Sequence, residues 1–564
     1  MKLGKVLVAC GWPYVNYLPH LGTVVQILSA DVAARYYRLK GKDVIMVSGS
    51  DEHGTPIEVE AVRLRIPPKE LTDENHAKIV EQLKEWGFSF DNYTRTESPT
   101  HKKFVQDHLT KIYKNGYIFS QETKMLYCET CSRFLPDRFI EGKCPFCGRH
   151  ARGDQCEGCG RLLEPAILAE PRCVVCESKP VTKKSKHWYL DLPKFSEKLK
   201  KYINSNENLS SNVRNFSLNF IKEGLKPRAI TRDVKWGIPA PFPGSEGKTI
   251  YVWFEAVLGY VSAAIENFEN SNEVEKWREY WFNKEARTLF FVGKDNIPFH
   301  TIIFPALLLG SGECYNLPWN VSATEFLQFK GEAFSKSHRI GIWINEALEL
   351  FSADYWRYFL AATRPETKDT SFSWDLFIEK INTDLNDTLG NFVHRTLKFI
   401  NAQFENRIPQ PCNLDEKDEH VLQTLVEKVK TISVEIEDCK IQSAVHNVVN
   451  LSRIGNQYLN EKEPWNVIKT DESKVANTLY IASQIVKALT VTSAPFIPFT
   501  AEKLWNILNL PNCVHEQNWN EALEPLPANH EIRKSKPLFQ KIEMSSEKIG
   551  QELDKIRQGI SKTG

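Results

Sequence analysis

The sequence predicts an α/β protein in which a parallel-sheet domain is split by a cysteine-rich insertion and followed by an α-helical bundle. Three observations carry this expectation. Short apolar runs alternate with helical stretches on both sides of residues 118–228. Of the 13 cysteines, eight form four Cys-x-x-Cys pairs within residues 128–176. From about Trp374 an apolar period of about 3.6 residues takes over and strands become scarce. At 564 residues the chain has room for several domains with large cores.

The first apolar run, Val6 to Cys10, reads as a strand and is followed by the turn Gly11-Trp12-Pro13. His20-Leu21-Gly22-Thr23 then opens a helical stretch, Val24 to Lys40, closed by Gly41. A strand that feeds a turn and a helix N-terminus is a ready phosphate site, because free N–H groups and the helix dipole point at the anion. Gly22 lets a nucleotide come close, and His20 can hydrogen-bond phosphate oxygens. Val44 to Val47 reads as a second, buried parallel strand, and Ser48 to Gly54 lies just past its carboxyl end, where an open sheet places its ligand.

After the insertion, Arg232 to Pro239 opens a second stretch of this kind. Tyr251-Val252-Trp253 is expected as a short strand, with a helix starting at Phe254. Leu289 to Val292 is another strand, ending in Gly293-Lys294-Asp295-Asn296, and His300 falls on the next helix with Phe304 four residues on. Strands and helices on both sides of a long insertion fit a split Rossmann-type fold. Phe334-Ser335-Lys336-Ser337 adds a lysine among serines, suited to gripping a phosphate tail as charge develops.

The cysteine pairs are Cys128/Cys131, Cys144/Cys147, Cys156/Cys159 and Cys173/Cys176. Each spans a turn that can bring two thiolates to one ion. Eight thiolates match two closed, structural Cys₄ zinc sites, or one if a knuckle is degenerate. A thioredoxin-like redox role would need a strand–helix context and normally a single pair. Spacing alone leaves the pairing of pairs open, nested or sequential. Cys10, Cys314, Cys412, Cys439 and Cys513 read as isolated buried thiols.

Composition excludes little beyond the membrane. The chain is 25% charged and 42% hydrophobic with a net charge of +1, and no apolar run reaches the ~20 residues of a membrane helix. The N-terminus reaches Trp12-Pro13-Tyr14 too soon for a signal peptide, so the expected location is cytoplasmic. A neutral total neither requires nor forbids nucleic acid, which local basic patches and shape can recognise.

The first and last motifs resemble the HIGH and KMSKS signatures of class I aminoacyl-tRNA synthetases. With Asp51-Glu52-His53-Gly54-Thr55-Pro56, Tyr251-Val252-Trp253, Gly259-Tyr260 and Gly293-Lys294-Asp295 in the same order, the chain from about residue 5 to about 545 resembles the methionyl-tRNA synthetase family. The resemblance implies ATP-dependent activation of L-methionine, with Mg²⁺ accompanying ATP, and transfer to the terminal adenosine of tRNA(Met). It implies catalytic roles for His20, Thr23 and Lys336, and ATP contacts from His20, Gly22, Thr23, Gly293, Asp295, Ser335 and Lys336. Trp12, Tyr14, Asp51, Trp253, Ala256, Tyr260 and His300 would form the methionine site, Asp51 holding the ammonium and aromatic rings meeting the thioether. The cysteine segment matches a family knuckle, which favours nesting: Cys144, Cys147, Cys156 and Cys159 on one ion, Cys128, Cys131, Cys173 and Cys176 on the other.

In the helical part, Asn391 and Arg395 share a helix face at i, i+4, and Pro464-Trp465 leaves an indole at a helix end. These positions match the family's anticodon readers; indole can stack an unpaired base, and amide and guanidinium can read base edges. The implied division is 1–117 and 229–320 for the two catalytic halves, 118–228 for the insertion, 321–373 for a stem-contact region, 374–540 for the anticodon-binding bundle and 541–564 for a C-terminal helix. A monomer is expected, with an accessory tRNA-binding protein left open as a partner. The chain departs from the signatures at Thr23 and Ala333, where the family pattern has histidine and lysine, and at Val257, often proline.

Two other readings compete. Class I enzymes for leucine, isoleucine or valine usually carry a long editing insertion for which 118–228 has little room, and the cysteine enzyme needs an open zinc. A non-catalytic RNA-binding descendant would keep tRNA binding and lose adenylation.

Overall fold

The computed structural model describes residues 4–153, 156, 163, 167–269, 271–329, 331–334 and 340–563. Its centre is a five-stranded parallel sheet in the order Asn320–Thr324, Arg287–Gly293, β1 (Lys5–Cys10), β2 (Asp43–Ser50) and β3 (Asn92–Arg95). Both faces are covered, so the strands read as continuous apolar runs. Val6 and Val8 enter one core, which continues into the helical bundle, whereas Leu7 and Ala9 enter the opposite core with Tyr260, Phe290 and Phe304. Chain order reverses between β1 and Arg287–Gly293, which makes the crevice at their carboxyl ends the expected ligand position.

The insertion leaves the sheet on a long antiparallel ribbon, Ile118–Cys128 against Val181–Leu190. At its tip three short strands, Ile140–Lys143, His150–Arg152 and Ala169–Cys173, hold a small core of their own. The C-terminal half is helical: Asn391–Gln403, Glu416–Glu437, Ile441–Lys462, Glu472–Ser493 and Pro498–Ile507 form the bundle, and Ser546–Thr563 is the final helix. None of the described helices is long and apolar enough to cross a membrane.

Three expectations are corrected. Cys314 and Cys412, read as buried thiols, are exposed, and Cys513 is only half-buried. Tyr251-Val252-Trp253 is not a strand: the ladder with Thr231–Arg232 ends at Ile250, and Val252–Ala256 is a short helix. The Tyr251 N–H is taken by the Ile230 carbonyl at 2.8 Å and the Arg232 guanidinium lies 3.6 Å from its ring centre, so tertiary contacts override β propensity. The helix at Trp374 is not one uniform α-helix. Trp374–Lys380 passes into a π-helical stretch, Ile381–Gly390, before α geometry resumes. There the Thr388 hydroxyl donates to the Thr383 carbonyl five residues back, and Gly390 makes room for Phe539. Periodicity cannot resolve such a widening.

Candidate active site and metal centres

The candidate phosphate corner lies where β1 ends and α1 (Leu21–Leu39) begins. His20 is the extended N-cap residue of α1, and its carbonyl accepts from Thr23 and Val24 at 2.9 and 3.1 Å. The His20 ring crowds Gly22, where a Cβ would sit 3.0 Å from Nδ1, so glycine keeps this helix entrance open. Across the crevice, Gly293 ends its strand beside Asp295, whose carboxyl a Gly293 Cβ would meet at 2.7 Å. Burial raises the pKa of Asp295. Gln26, not singled out from the sequence, bridges the corner: its amide is the nearest group to Gly11 on one side and lies 3.1 Å from a Gly293 Cβ on the other. Ser335 and Lys336 lie outside the described residues.

The aromatic pocket is assembled by close backbone approach. Asp51 bridges Tyr14: its N–H donates to the Pro13 carbonyl at 2.9 Å, and its carbonyl accepts from Val15 at 3.1 Å. The Trp12 indole lies against Gly49 and Gly259, where any Cβ would come within 2.7 Å of the ring. Tyr260 meets Trp12 edge-on at 6.4 Å; Trp253 meets Tyr14 edge-on at 6.1 Å and stacks on Phe299 at 4.3 Å. Ala256 is buried one turn beyond Trp253. Tyr260 donates to His300 Nε2 at 2.8 Å, and His300 Nδ1–H donates to the Asn296 carbonyl at 2.9 Å, which sets the tautomer. Burial pushes the His300 pKa down to about 4, so the imidazole is neutral. A π-turn, Phe299–Ile303, carries it. A narrow cleft lined by Tyr14, Thr55, Arg232, Tyr251 and Trp253 opens beside this pocket.

Asp51 is 4% exposed, and its Oδ1 has no hydrogen-bond partner among the described residues. Burial, then the nearby Glu255, raises its pKa well above the usual carboxylate range. Beneath it, His53 bridges two carboxylates, Nδ1 to Glu255 at 2.9 Å and Nε2 to Glu97 at 2.7 Å. Burial lowers the His53 pKa, but Glu255 and Glu97 override that and raise it to about 10, so both ring nitrogens donate. Lys102 balances Glu97 at 2.5 Å, and Arg95 pairs with Glu52 at 2.8 Å. The arrangement leaves Asp51 as the carboxylate in want of a cation. Sequence reading overlooked this relay, although His53 lies in a quoted motif, because Glu255 is 202 residues away.

The thiols of Cys128, Cys131, Cys173 and Cys176 all lie within 4.8 Å of one another, as do those of Cys144, Cys147 and Cys156. Sulfur separations across the pairs are 3.4 Å for Cys128–Cys176 and 3.6 Å for Cys147–Cys156. Four converging soft donors fit a tetrahedral zinc ion. Cys159 lies outside the described residues. Glu58, in the helix that follows Gly54, accepts from Arg133, which pairs with Cys128 at the knuckle end of the ribbon, at 2.8 Å and from the Lys235 and Trp236 N–H groups at 3.1 and 2.9 Å. The knuckles are thereby tied to the catalytic frame.

On the bundle, Arg395 donates to Asn460 at 3.0 Å and lies 4.9 Å from the Trp465 ring centre. Trp465 is 39% exposed, Asn391 is exposed on the same face as Arg395, and Pro464 is buried beneath them. An exposed indole backed by a guanidinium is a stacking platform.

A five-stranded parallel sheet with a phosphate corner at its switch point, an aromatic pocket and a helical bundle defines a class I tRNA synthetase. In agreement, the family described as "tRNA synthetases class I (M)" matches residues 6–397. The "Anticodon binding domain of methionyl tRNA ligase" matches residues 408–552. A methionine–tRNA ligase of Caldivirga maquilingensis is 50% identical over 98% of this chain and 94% of its own length. That of Thermofilum pendens is 49% identical over 98% of both. Mycobacterium tuberculosis methionyl-tRNA synthetase, solved in complex with methionyl-adenylate, has the same fold, with a TM-score of 0.79 over 96% of this chain and all of that one at 23% identity. The chain belongs to the class I tRNA synthetases of the methionyl type.

Proposed function

We propose that the chain activates L-methionine with ATP and then charges the 3′-terminal adenosine of tRNA(Met). The observation that carries this reading is the buried Asp51 Oδ1, without a hydrogen-bond partner among the described residues, on the segment that bridges Tyr14 at the aromatic pocket. An α-ammonium answers the carboxylate, and the rings and Ala256 take an unbranched thioether.

A methionine carboxylate oxygen attacks the α-phosphorus in line as the bond to pyrophosphate breaks. The ribose hydroxyl then attacks the acyl carbon and AMP leaves. The protein needs no covalent nucleophile, because positioning and charge stabilisation carry both steps. His20, Gly22 and Thr23 serve the phosphates at the N-terminus of α1, Gly293 and Asp295 the nucleoside side, and Ser335 and Lys336, read from sequence, the leaving pyrophosphate. Mg²⁺ bound with ATP supplies charge neutralisation. Asn391, Arg395, Pro464 and Trp465 read the anticodon. The domain limits set out above, a cytoplasmic location and two structural zinc ions belong to the same reading.

ATP–pyrophosphate exchange with methionine, leucine, isoleucine, valine and cysteine supplied separately tests it. Exchange is expected with methionine alone. Lys336→Ala should lower it by about 100-fold, the scale of a lost transition-state contact. Trp465→Ala should leave exchange intact and lower tRNA charging by roughly tenfold or more, the value of one stacked base. Exchange with another amino acid, or none alongside retained tRNA binding, would overturn the enzyme as read. Elemental analysis is expected to find two zinc ions per chain; one ion would remove the second Cys₄ site.

A further inference from the structure

The final helix is remote from His20 in sequence, yet one of its side chains reaches the same strand of contacts. Arg557 donates from Nε to Glu346 Oε1 at 2.8 Å and from Nη2 to Glu346 Oε2 at 3.0 Å. The same Nη2 donates to the Gly341 carbonyl at 2.5 Å, and the guanidinium lies 5.3 Å from the Trp343 ring centre. Buried Ile549 and Leu553 hold the helix in place, and its first residue, Ser546, bonds Asp375. One planar fork thus serves a carboxylate, a carbonyl and a ring, a combination that lysine cannot reproduce.

The residues so held lead directly to the phosphate corner. Glu346 Oε2 also accepts from the Trp343 N–H at 3.1 Å. Residues 342–344 run antiparallel to 19–21: Leu21 donates to the Ile342 carbonyl at 3.0 Å, Ile344 donates to the Pro19 carbonyl at 2.9 Å, and His20 faces Trp343. Gly341 has φ +139°, and any Cβ there would overlap the Phe334 ring. Phe334 is stacked on His20 at 4.8 Å and 16°. His20 is therefore set from two sides, by a backbone ladder and by a ring, and both rest on the segment that Arg557 grips.

We propose that Arg557 is a positioning residue for His20: the last helix fixes the orientation of the phosphate-binding histidine through Gly341, Trp343 and Glu346. The inference rests on the reading of His20 as an ATP contact given above. It predicts an effect confined to ATP. In methionine-dependent ATP–pyrophosphate exchange, Arg557→Ala raises the KM for ATP by about tenfold, the scale of lost charge-assisted hydrogen bonds. The KM for methionine stays unchanged, even where loss of the Glu346 pair lowers the thermal midpoint. Arg557→Lys, which can keep the carbonyl contact but not the fork, falls between the two. Exchange by the unsubstituted chain with an unaltered ATP KM in Arg557→Ala overturns this inference alone. So does an equal rise in both KM values with a lowered midpoint, the mark of a merely structural residue. Absence of exchange in the unsubstituted chain overturns the proposed function and this inference together.

Discussion

Asp51→Asn is expected to lower kcat/KM for methionine in the activation step by roughly 10²- to 10⁴-fold, the equivalent of losing one partner of a buried ion pair. Asp51 is 4% exposed and its Oδ1 has no hydrogen-bond partner among the described residues, so the asparagine would offer the ammonium no charge to answer it. The substitution keeps shape and removes charge. A second signature follows from its raised pKa, caused by burial first and Glu255 next. Only the carboxylate form pairs with ammonium, so methionine affinity should rise with pH until Asp51 is ionised and then level off. His53, with its pKa near 10, stays charged through that range. The asparagine variant should lose this pH dependence. Binding of methionine measured by calorimetry across pH reads both effects, and an unchanged affinity for Asp51→Asn would sink the ammonium assignment.

Arg357→Ala is expected to destabilise the chain by about 3–5 kcal/mol, the cost of breaking a fully buried ion pair from one side. Arg357 and Asp31 are both 0% exposed and meet at 2.5 Å. The guanidinium also donates to the carbonyls of Phe496 and Pro495, each at 3.0 Å. It therefore joins α1, behind the phosphate corner, to the turn between two bundle helices. Removing it leaves those carbonyls without their donor and takes one of two arginines from the buried Asp31 carboxylate, which keeps Arg35 and Ser89. Burial pushes the Asp31 pKa up, but Arg35 and Arg357 outweigh it and hold the carboxyl well below its usual range. A depressed pKa adds stability that is present above the unfolded carboxylate pKa and is lost as pH falls toward the folded value. The destabilisation by Arg357→Ala should accordingly be fullest near neutral pH and shrink as the pH falls and Asp31 takes up its proton. Urea denaturation would check the magnitude, and a loss under about 1 kcal/mol would mean that Arg35 alone suffices for Asp31.

Much of the site was legible because its parts are short contiguous motifs. His20-Leu21-Gly22-Thr23 sits at a helix N-terminus in the structure, and Asp51 to Gly54 follows a buried strand, as expected from apolar runs and their flanking polar residues. The paired cysteines were equally plain, since ligand spacing is local. The bundle helices, Glu416–Glu437 and Ile441–Lys462 among them, were readable from their period.

What stayed hidden depends on partners distant in the chain. The sequence by itself determined the alternation of strands and helices, the phosphate motif and the thiol pairs, because backbone preference and burial leave a periodic or contiguous trace; the aromatic and anticodon candidates came from the family resemblance of their motifs. Only the tertiary structure decided that Tyr251 to Trp253 leaves its strand, that Cys128 and Cys131 meet Cys173 and Cys176, that His53 is shared by Glu97 and Glu255, and that Arg557 grips Gly341. Those choices are made by pairing of side chains and carbonyls across tens to hundreds of residues, and the energy of each pair exists only after the fold has removed water from around it.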